Sequence, residues 1–406
     1  MSERAPNAVL EASREVRPLR LALVLPRFGD DLVGGAELHG RWLAERLRAC
    51  GHSMHILTTC ARDHRTWRNE LPVGPSDVDG LRVMRFPVDR RNTRKHADYE
   101  RDIHQGRVLD VDEEVDWLRN GVSSLAMEEF LEREADQFDL VLGMPYLYGI
   151  TYFAYSKVPD RFVLVPCLHD EPYARLQFVG EMLGKSRGLL FNTAPEVELA
   201  RSLAPSLTDW AVVGVGFDPP QSLDVRGVRR RYGLKHPYLV YVGRREPGKN
   251  THLLTDYFLR YKTRRENDLQ LVLVGSGDEP PESPDVLTRI IDWADRDAVC
   301  RGALAFCQPS VNESLSIVLL QAWLAGSPAL VHGNGSVTRY HCERSNGGLW
   351  FNNYAQFEAV VDTLSSSSEL RGALGTNGRA YVEREFTWPV VLGRFHDAVE
   401  RWVEAD

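Results

Sequence analysis

Cys307-Gln308-Pro309-Ser310-Val311-Asn312-Glu313-Ser314-Leu315-Ser316-Ile317-Val318-Leu319-Leu320-Gln321-Ala322-Trp323-Leu324-Ala325-Gly326-Ser327-Pro328-Ala329-Leu330-Val331 is the stretch that decides the fold. The apolar run Ala303 to Phe306 enters it as a strand, Gln308 to Asn312 forms a turn cluster, and Leu315, Val318, Leu319, Ala322 and Trp323 recur at helical spacing within Ser314 to Ala325. Gly326 stops that helix, and Pro328 prevents its resumption before the next strand. A helix that opens directly from a strand-end loop presents unpaired N–H groups and a positive dipole end, here behind Ser314 at Leu315, Ser316 and Ile317, which suits a phosphate. Glu313 stands at that mouth, where its charge would repel an anion, so it is better placed to accept hydrogen bonds from sugar hydroxyls. Phosphate plus sugar suggests a nucleotide-sugar.

Outward from this stretch, strand-like runs at Tyr238 to Gly243, Leu269 to Gly275, Ala303 to Phe306 and Pro328 to His332 alternate with helix-like Thr251 to Tyr261, Ser314 to Ala325 and Tyr354 to Leu364. An earlier set holds strand-like Leu19 to Leu25, Met54 to Thr58, Leu81 to Val88, Leu140 to Gly143, Phe162 to Leu168, Leu189 to Asn192 and Ala211 to Val215, with an amphipathic helix from Ala36 to Cys50. The lull between the sets contains Pro219-Pro220. The expected architecture is α/β: a flexible lead-in at 1–18, a Rossmann-like domain at 19–218, a linker at 219–237 and a second Rossmann-like domain at 238–387, with a cleft between the two. A Trp388-Pro389 break precedes a final helix, 388–406.

Chemistry-bearing residues fall at the strand ends. Gly34-Gly35-Ala36-Glu37 lies between the first strand and the first helix, where two glycines allow close backbone approach to a ligand; a plain turn explains the pair equally well. Gly243-Arg244-Arg245-Glu246-Pro247-Gly248-Lys249 follows the first strand of the second domain, and cations held there can neutralise a diphosphate as its sugar bond breaks. Arg245 is left without a role. His169 closes the strand Phe162 to Leu168, a position that serves either structure or catalysis. Gly275-Ser276-Gly277-Asp278 reads equally as a tight turn or a nucleotide contact, Gly214 to Asp218 reads as hinge and wall, and Gly347-Gly348 reads as a turn. Arg82, Arg85, Arg90, Arg91, Arg94 and Lys95, opposed only by Asp89, read as a solvated loop in preference to an acceptor or membrane-phosphate site. No metal triad or Ser-His-Asp set is arguable from spacing.

Pro309-Ser310, Glu313, the helix and Ala325-Gly326-Ser327-Pro328 resemble the signature of retaining GT-B glycosyltransferases of family 4. The resemblance implies the GT-B fold, two Rossmann-like domains facing across a cleft with the last helix crossing back to the N-terminal one, and metal-independent transfer from a nucleoside diphosphate sugar to a hydroxyl acceptor. In that family two glutamates are separated by seven residues, the first at the donor sugar and the second on the ribose. Glu313 matches the first, whereas Gln321 replaces the second. Arg244 and Lys249 match the family's cation positions after Gly243, Gly34-Gly35 looks like its N-domain loop, and His169 matches a histidine that reaches the donor sugar. Catalysis would then rest on Glu313, His169, Arg244 and Lys249, and donor binding on these cations with Gly34, Gly35, Gly243, Ser314 to Ile317 and Gln321. The acceptor is expected on loops within Asp63 to Arg107. A partner subunit that binds nucleotide-sugar without turning it over is the alternative that Gln321 leaves open.

The bulk numbers bound these readings. At 406 residues, 43% hydrophobic and 26% charged, the chain is long enough for two ordinary cores, and its net charge of −8 argues against a general nucleic-acid binder. Cys50, Cys60, Cys167, Cys300, Cys307 and Cys342 show no zinc-ligand pairing and point to a reducing cytoplasm, with peripheral attachment to a membrane left open. Leu140 to Ser156 carries no charge, but it is shorter than a spanning helix and Gly143-Met144-Pro145 breaks it.

Overall fold

The computed structural model describes residues 17–29 and 34–403. The expected lead-in at 1–18 lies outside the described residues as far as residue 16, as do 30–33 of the first loop and the last turn, 404–406, of the expected final helix. The chain divides into two compact units, Met1–Gly216 with Trp388–Asp406, and Phe217–Thr387.

In the first unit, strands β1 (Arg20–Leu25), β2 (Ser53–Thr59), β3 (Gly74–Val78), β4 (Leu81–Phe86), β5 (Leu140–Gly143), β6 (Phe162–Leu164), β7 (Gly188–Phe191) and β8 (Trp210–Val212) form one sheet in the order β3-β4-β2-β1-β5-β6-β7-β8. Pairing is parallel except between β3 and β4. Alternation along β1 splits its side chains between two cores: Ala22 and Val24 join one, and Leu21, Leu23 and Leu25 join the other. The second core also takes Leu43 and Leu47 from helix Gly35–Ala49, and Val391, Phe395, Val399 and Trp402 from helix Trp388–Val403. That closing helix therefore belongs to the first unit, as the resemblance implies.

In the second unit, β9 (Tyr238–Val242), β10 (Gln270–Val274), β11 (Val286–Arg289), β12 (Ala305–Gln308), β13 (Ala329–His332) and β14 (Gly348–Phe351) form a parallel sheet in the order β11-β10-β9-β12-β13-β14. Leu239, Leu271, Leu273, Ala305, Cys307 and Leu330 pack with Leu254, Phe258 and Phe357 into its core. Both sheets are of the doubly wound kind, with ligand ends at their carboxyl edges.

Several sequence expectations change. The run Phe162 to Leu168 stops being strand at Leu164, and Cys167 takes a left-handed φ of 53° that extended pairing does not tolerate. The segment 82–107 is a loop only at 87–92 and 105–107. Arg82 and Arg85 lie on β4, and Thr93–His104 is a helix whose Asn92 side chain accepts from the Lys95 N–H at 3.1 Å. β3 was missed because it is polar and at the edge, although Asp79-Gly80, with φ of 51° and 78°, is a hairpin signal. Gly348 begins β14 instead of ending a turn, because Ala329, Leu330 and Val331 of β13 continue the pairing to Gly348, Leu349 and Trp350. The lull after Pro220 contains helix Val225–Arg231, capped by the Asp224 side chain on the Gly227 N–H at 2.8 Å.

Candidate active site

The second unit brings several of the singled-out residues into contact. After β9, Gly243 turns with φ of 151° and donates to Val274 O at 2.9 Å. Gly275 has φ of 128°, and a Cβ there would lie 2.2 Å from Gly243 O, so the loops after β9 and β10 run in backbone contact. Arg245 N–H donates to Ser276 O at 2.7 Å, and Asp278 N–H returns to Arg245 O at 2.8 Å. The Arg245 guanidinium, 4% exposed, is consumed by this clasp: it donates to Asp278 O at 2.8 Å, Gly277 O at 3.2 Å and Glu279 Oε1 at 2.7 Å, and also to Gly275 O. Arg245 thus rivets two loops, and the Gly275-Ser276-Gly277-Asp278 turn supplies the carbonyls.

Lys249 ends the short turn Pro247–Lys249, and Asn250, at φ of 56°, ties it by an Nδ2 bond of 3.2 Å to Pro309 O in the loop after β12. That tie carries the ammonium to Glu313: Lys249 Nζ lies 2.8 Å from Glu313 Oε1. Gln308, the last residue of β12 and fully buried, donates through Nε2 to Glu313 Oε1 at 3.2 Å and to Ser316 Oγ at 3.0 Å. Glu313 is therefore held from two sides. Arg244 is half exposed and pairs instead with Glu246 at 3.3 Å. Burial, together with the carboxylates of Glu313 and Glu246, raises the Tyr241 phenol well above its usual range, so its hydroxyl stays a donor, to Arg244 O at 2.7 Å.

The helix opens later than the apolar spacing suggests, at Ile317, and spans Ile317–Leu324. Ser316 adopts φ of 65° and bends the chain sharply into it, so Ser314 and Leu315 belong to the loop. The helix start has no side-chain cap, which leaves Ile317 and Val318, in place of Leu315 and Ser316, as the outward N–H groups. One turn in, Gln321 has its Oε1 buried without a hydrogen-bond partner among the described residues, and Gln308 Oε1 is in the same state. Buried acceptor oxygens of this kind can take a hydrogen bond from a donor that reaches them. Behind the loop, His341 is pushed down to about 4 by burial, and its Nδ1 lies 2.9 Å from the Tyr381 hydroxyl.

The first unit holds the remaining candidates. Gly34 is extended and accepts from Leu38 N–H at 2.9 Å; a Cβ on it would meet the Glu37 carboxylate, itself paired with Arg27. Gly35 faces open space. His169 follows the shortened β6, with Nδ1 3.8 Å from Glu171 Oε1, and Glu171 accepts from the Tyr146 hydroxyl at 2.7 Å. The residue that shapes this loop had escaped attention. Glu196 is fully buried, accepts from Leu168 N–H at 2.7 Å and Asn192 N–H at 2.6 Å, and is pushed up to about 8 by desolvation. Its signal was Thr193-Ala194-Pro195-Glu196, the spacing of a helix capping box. Gln308 had no signal beyond its place at a strand end. Among the described residues no group of three metal-ligating side chains gathers, and no helix is long and apolar enough to cross a membrane.

Two doubly wound units with a closing helix returned to the first are the parts of the GT-B fold, and comparison with known proteins agrees. The profile of the family described as Glycosyl transferases group 1 matches residues 236–366. The D-inositol 3-phosphate glycosyltransferase of Stackebrandtia nassauensis is 24% identical, covering 98% of this chain and 93% of its own, and the protein of that name from Kribbella flavida is 26% identical, covering 97% and 98%. Among solved structures, sucrose-phosphate synthase from Thermosynechococcus elongatus aligns with a TM-score of 0.72 at 16% identity, covering 96% of this chain and 100% of that one. Anabaena HepE in complex with UDP and glucose aligns at 0.67 and 14%, covering 94% and 99%. Residues 236–366 thus match the Glycosyl transferases group 1 family, and the relatives that resemble the chain over nearly its whole length are named glycosyltransferases.

Proposed function

We propose that this enzyme transfers a hexose from a UDP-sugar to a hydroxyl of a small polar acceptor, with the second unit, 238–387, as donor domain and 19–218 plus 388–406 as acceptor domain. The carrying observation is the Lys249–Glu313 pair at 2.8 Å, steadied by Gln308, whose Oε1 has no hydrogen-bond partner among the described residues. Lys249, Arg244 and the N–H groups of Ile317 and Val318 take the diphosphate. Glu313 then accepts from sugar hydroxyls, and Gln321 Oε1 accepts from a ribose hydroxyl.

Transfer follows from positioning and charge. The anomeric carbon–oxygen bond to the β-phosphate breaks while the acceptor oxygen bonds to the same face of that carbon, and the acceptor's proton passes to the leaving phosphate oxygen. Lys249 and Arg244 stabilise the charge that grows on the diphosphate. UDP is favoured as donor nucleotide because HepE is described bound to UDP and to UDP-glucose. The cysteines are free thiols, which fits a cytoplasmic enzyme.

A thermal-shift series with UDP, GDP, CDP, ADP and dTDP tests the donor. UDP should raise the midpoint most, and the protein should release UDP from a UDP-hexose. Stabilisation by none of the five, with no UDP released, would overturn the reading.

A further inference from the structure

Strands β6 and β7 pair only at Val163–Gly188 and Leu164–Leu189, and a buried carboxyl takes over where that pairing stops. Glu196, 1% exposed on helix Ala194–Leu203, accepts from Leu168 N–H at 2.7 Å through Oε1 and from Asn192 N–H at 2.6 Å through Oε2, and the N–H groups of Cys167 and Thr193 also bond to it. Helix capping does not account for this reach. The cap is Thr193, whose Oγ1 accepts from Glu196 N–H at 3.3 Å, whereas Leu168 stands 28 residues away on another loop.

That loop leaves the carboxyl edge of the first sheet, where open α/β sheets bind ligands. Several bonds give it one shape: Cys167 is held at φ of 53°, Asn192 Nδ2 donates to Cys167 Sγ at 3.6 Å, and Tyr146 N–H donates to Pro166 O at 3.0 Å. His169 follows directly, and Glu171 closes the loop by accepting from the Tyr146 hydroxyl at 2.7 Å. Glu196 forms no ion pair among the described residues, so as an anion it would be a buried charge offset only by N–H dipoles. Burial is the largest influence on it and pushes it up to about 8. The titratable groups on the surrounding elements are taken up elsewhere or lie on the loop: Asp170 pairs with Arg175 at 2.6 Å, Glu181 with Lys185 at 3.6 Å on the neighbouring helix Gln177–Lys185, and Glu198 with Arg201 at 2.7 Å, while Cys167 and His169 belong to the loop itself.

We propose that Glu196 is a positioning residue of the transferase: neutral, its carboxyl locks residues 165–169 in register, and ionised it lets them open. This role rests on the transferase reading and adds control, by one proton, of a loop at the ligand edge of the first unit. A closed loop keeps the carboxyl at about 8, and an open one returns it to the ordinary carboxylate range. Raising the pH through about 8 therefore favours the open form.

Hydrogen exchange and kinetics on the full chain test this. In the wild-type protein the protection of the Leu168 and Asn192 N–H groups, corrected for intrinsic exchange, should fall about tenfold per pH unit above about pH 8, and in Glu196→Gln, which cannot ionise, it should stay level. Release of UDP from a UDP-hexose should slow severalfold between about pH 7 and about pH 9 in the wild type with KM unchanged, and should change less than about twofold in Glu196→Gln, which is slower throughout. Glu196→Ala should lower kcat about tenfold at neutral pH while UDP binding, measured by calorimetry, stays the same. Equal pH profiles in the wild type and Glu196→Gln overturn the proposal. Joint loss of kcat and of UDP-binding stoichiometry in Glu196→Ala, the mark of a group that only maintains the fold, overturns it as well. If Glu196→Gln does not fold, the wild-type exchange profile decides alone, with Cys167→Ser as the control that should leave it unchanged. No UDP release by the wild type would strike the transferase reading, and the exchange profiles would still decide whether Glu196 governs the loop.

Discussion

The two units share one folding pattern but assemble their strand-end residues differently. In the second, Arg244, Lys249, Gln308, Glu313 and Gln321 all lie on or next to two strand-end loops within the stretch that the family profile matches. In the first, Arg27, Trp67, Asn69, Val88 and Tyr148 meet only through contacts between distant parts of the chain. The difference is physical. In the second unit a short motif places its own side chains, whereas in the first only tertiary packing assembles them.

The largest expected effect falls on the donor unit. Glu313→Ala should slow UDP release from a UDP-hexose by roughly a thousandfold, measured as initial rate with and without acceptor, because it removes the sugar's acceptor group and strands Lys249. Full activity in that variant would move the chemistry away from the second unit altogether. Next comes Gly277→Ala. At φ of 127°, with Arg245 O only 2.0 Å from the added carbon, it should destabilise the second unit by about 2 to 3 kcal/mol, read as a lower urea midpoint. An unchanged midpoint would show that the Arg245 clasp contributes little.

Acid should separate the units. His39 and His52 in the first unit and His341 in the second are pushed down to about 4, mainly by burial, and burial also lowers His396, whose Nε2 meets His52 Nε2 at 3.0 Å. A histidine whose folded pKa lies below its unfolded value of about 6.5 contributes stability that is full above that value and is lost as pH falls toward the folded one. Hydrogen exchange compared at neutral pH and near pH 5 should therefore show the first unit, with more such groups, loosening before the second. The reverse order would contradict the placement of these charges. The smallest effect is Gln321→Glu, which should leave products unchanged and tighten UDP by up to about 1 kcal/mol, a several-fold change. Weaker UDP binding in calorimetry would refute the ribose assignment.

What could be read in advance follows the same division. Strand–loop–helix alternation and the spacing from Gly243 to Lys249 and from Glu313 to Gln321 are local, and they placed both sheets and the donor candidates. The helix start moved to Ile317 because a left-handed Ser316 is a property of the packed loop and not of hydrophobic period. Arg245 could not be told from Arg244 in sequence, since only the carbonyls of Gly275, Gly277 and Asp278 distinguish a rivet from a half-exposed cation. β3 and helix Thr93–His104 were hidden by polar composition, and Glu196 by the distance in sequence to the Leu168 N–H it accepts from.

The return of helix Trp388–Val403 to the first unit has a consequence for how this gene product can be cut. Phe217 N–H donates to Phe386 O at 2.8 Å and Phe217 bridges Thr387, so the two ends of the intervening segment already touch. Gly216 lies so close to the Trp388 indole that a Cβ would be 2.4 Å from the ring, so the flanking ends touch as well. Residues 217–387 are in effect a guest spliced into a host chain. Joining Gly216 to Trp388 through a short linker should give a host that still closes with its own last helix, and the excised guest should tolerate being circularised, because neither operation asks the chain to span a gap.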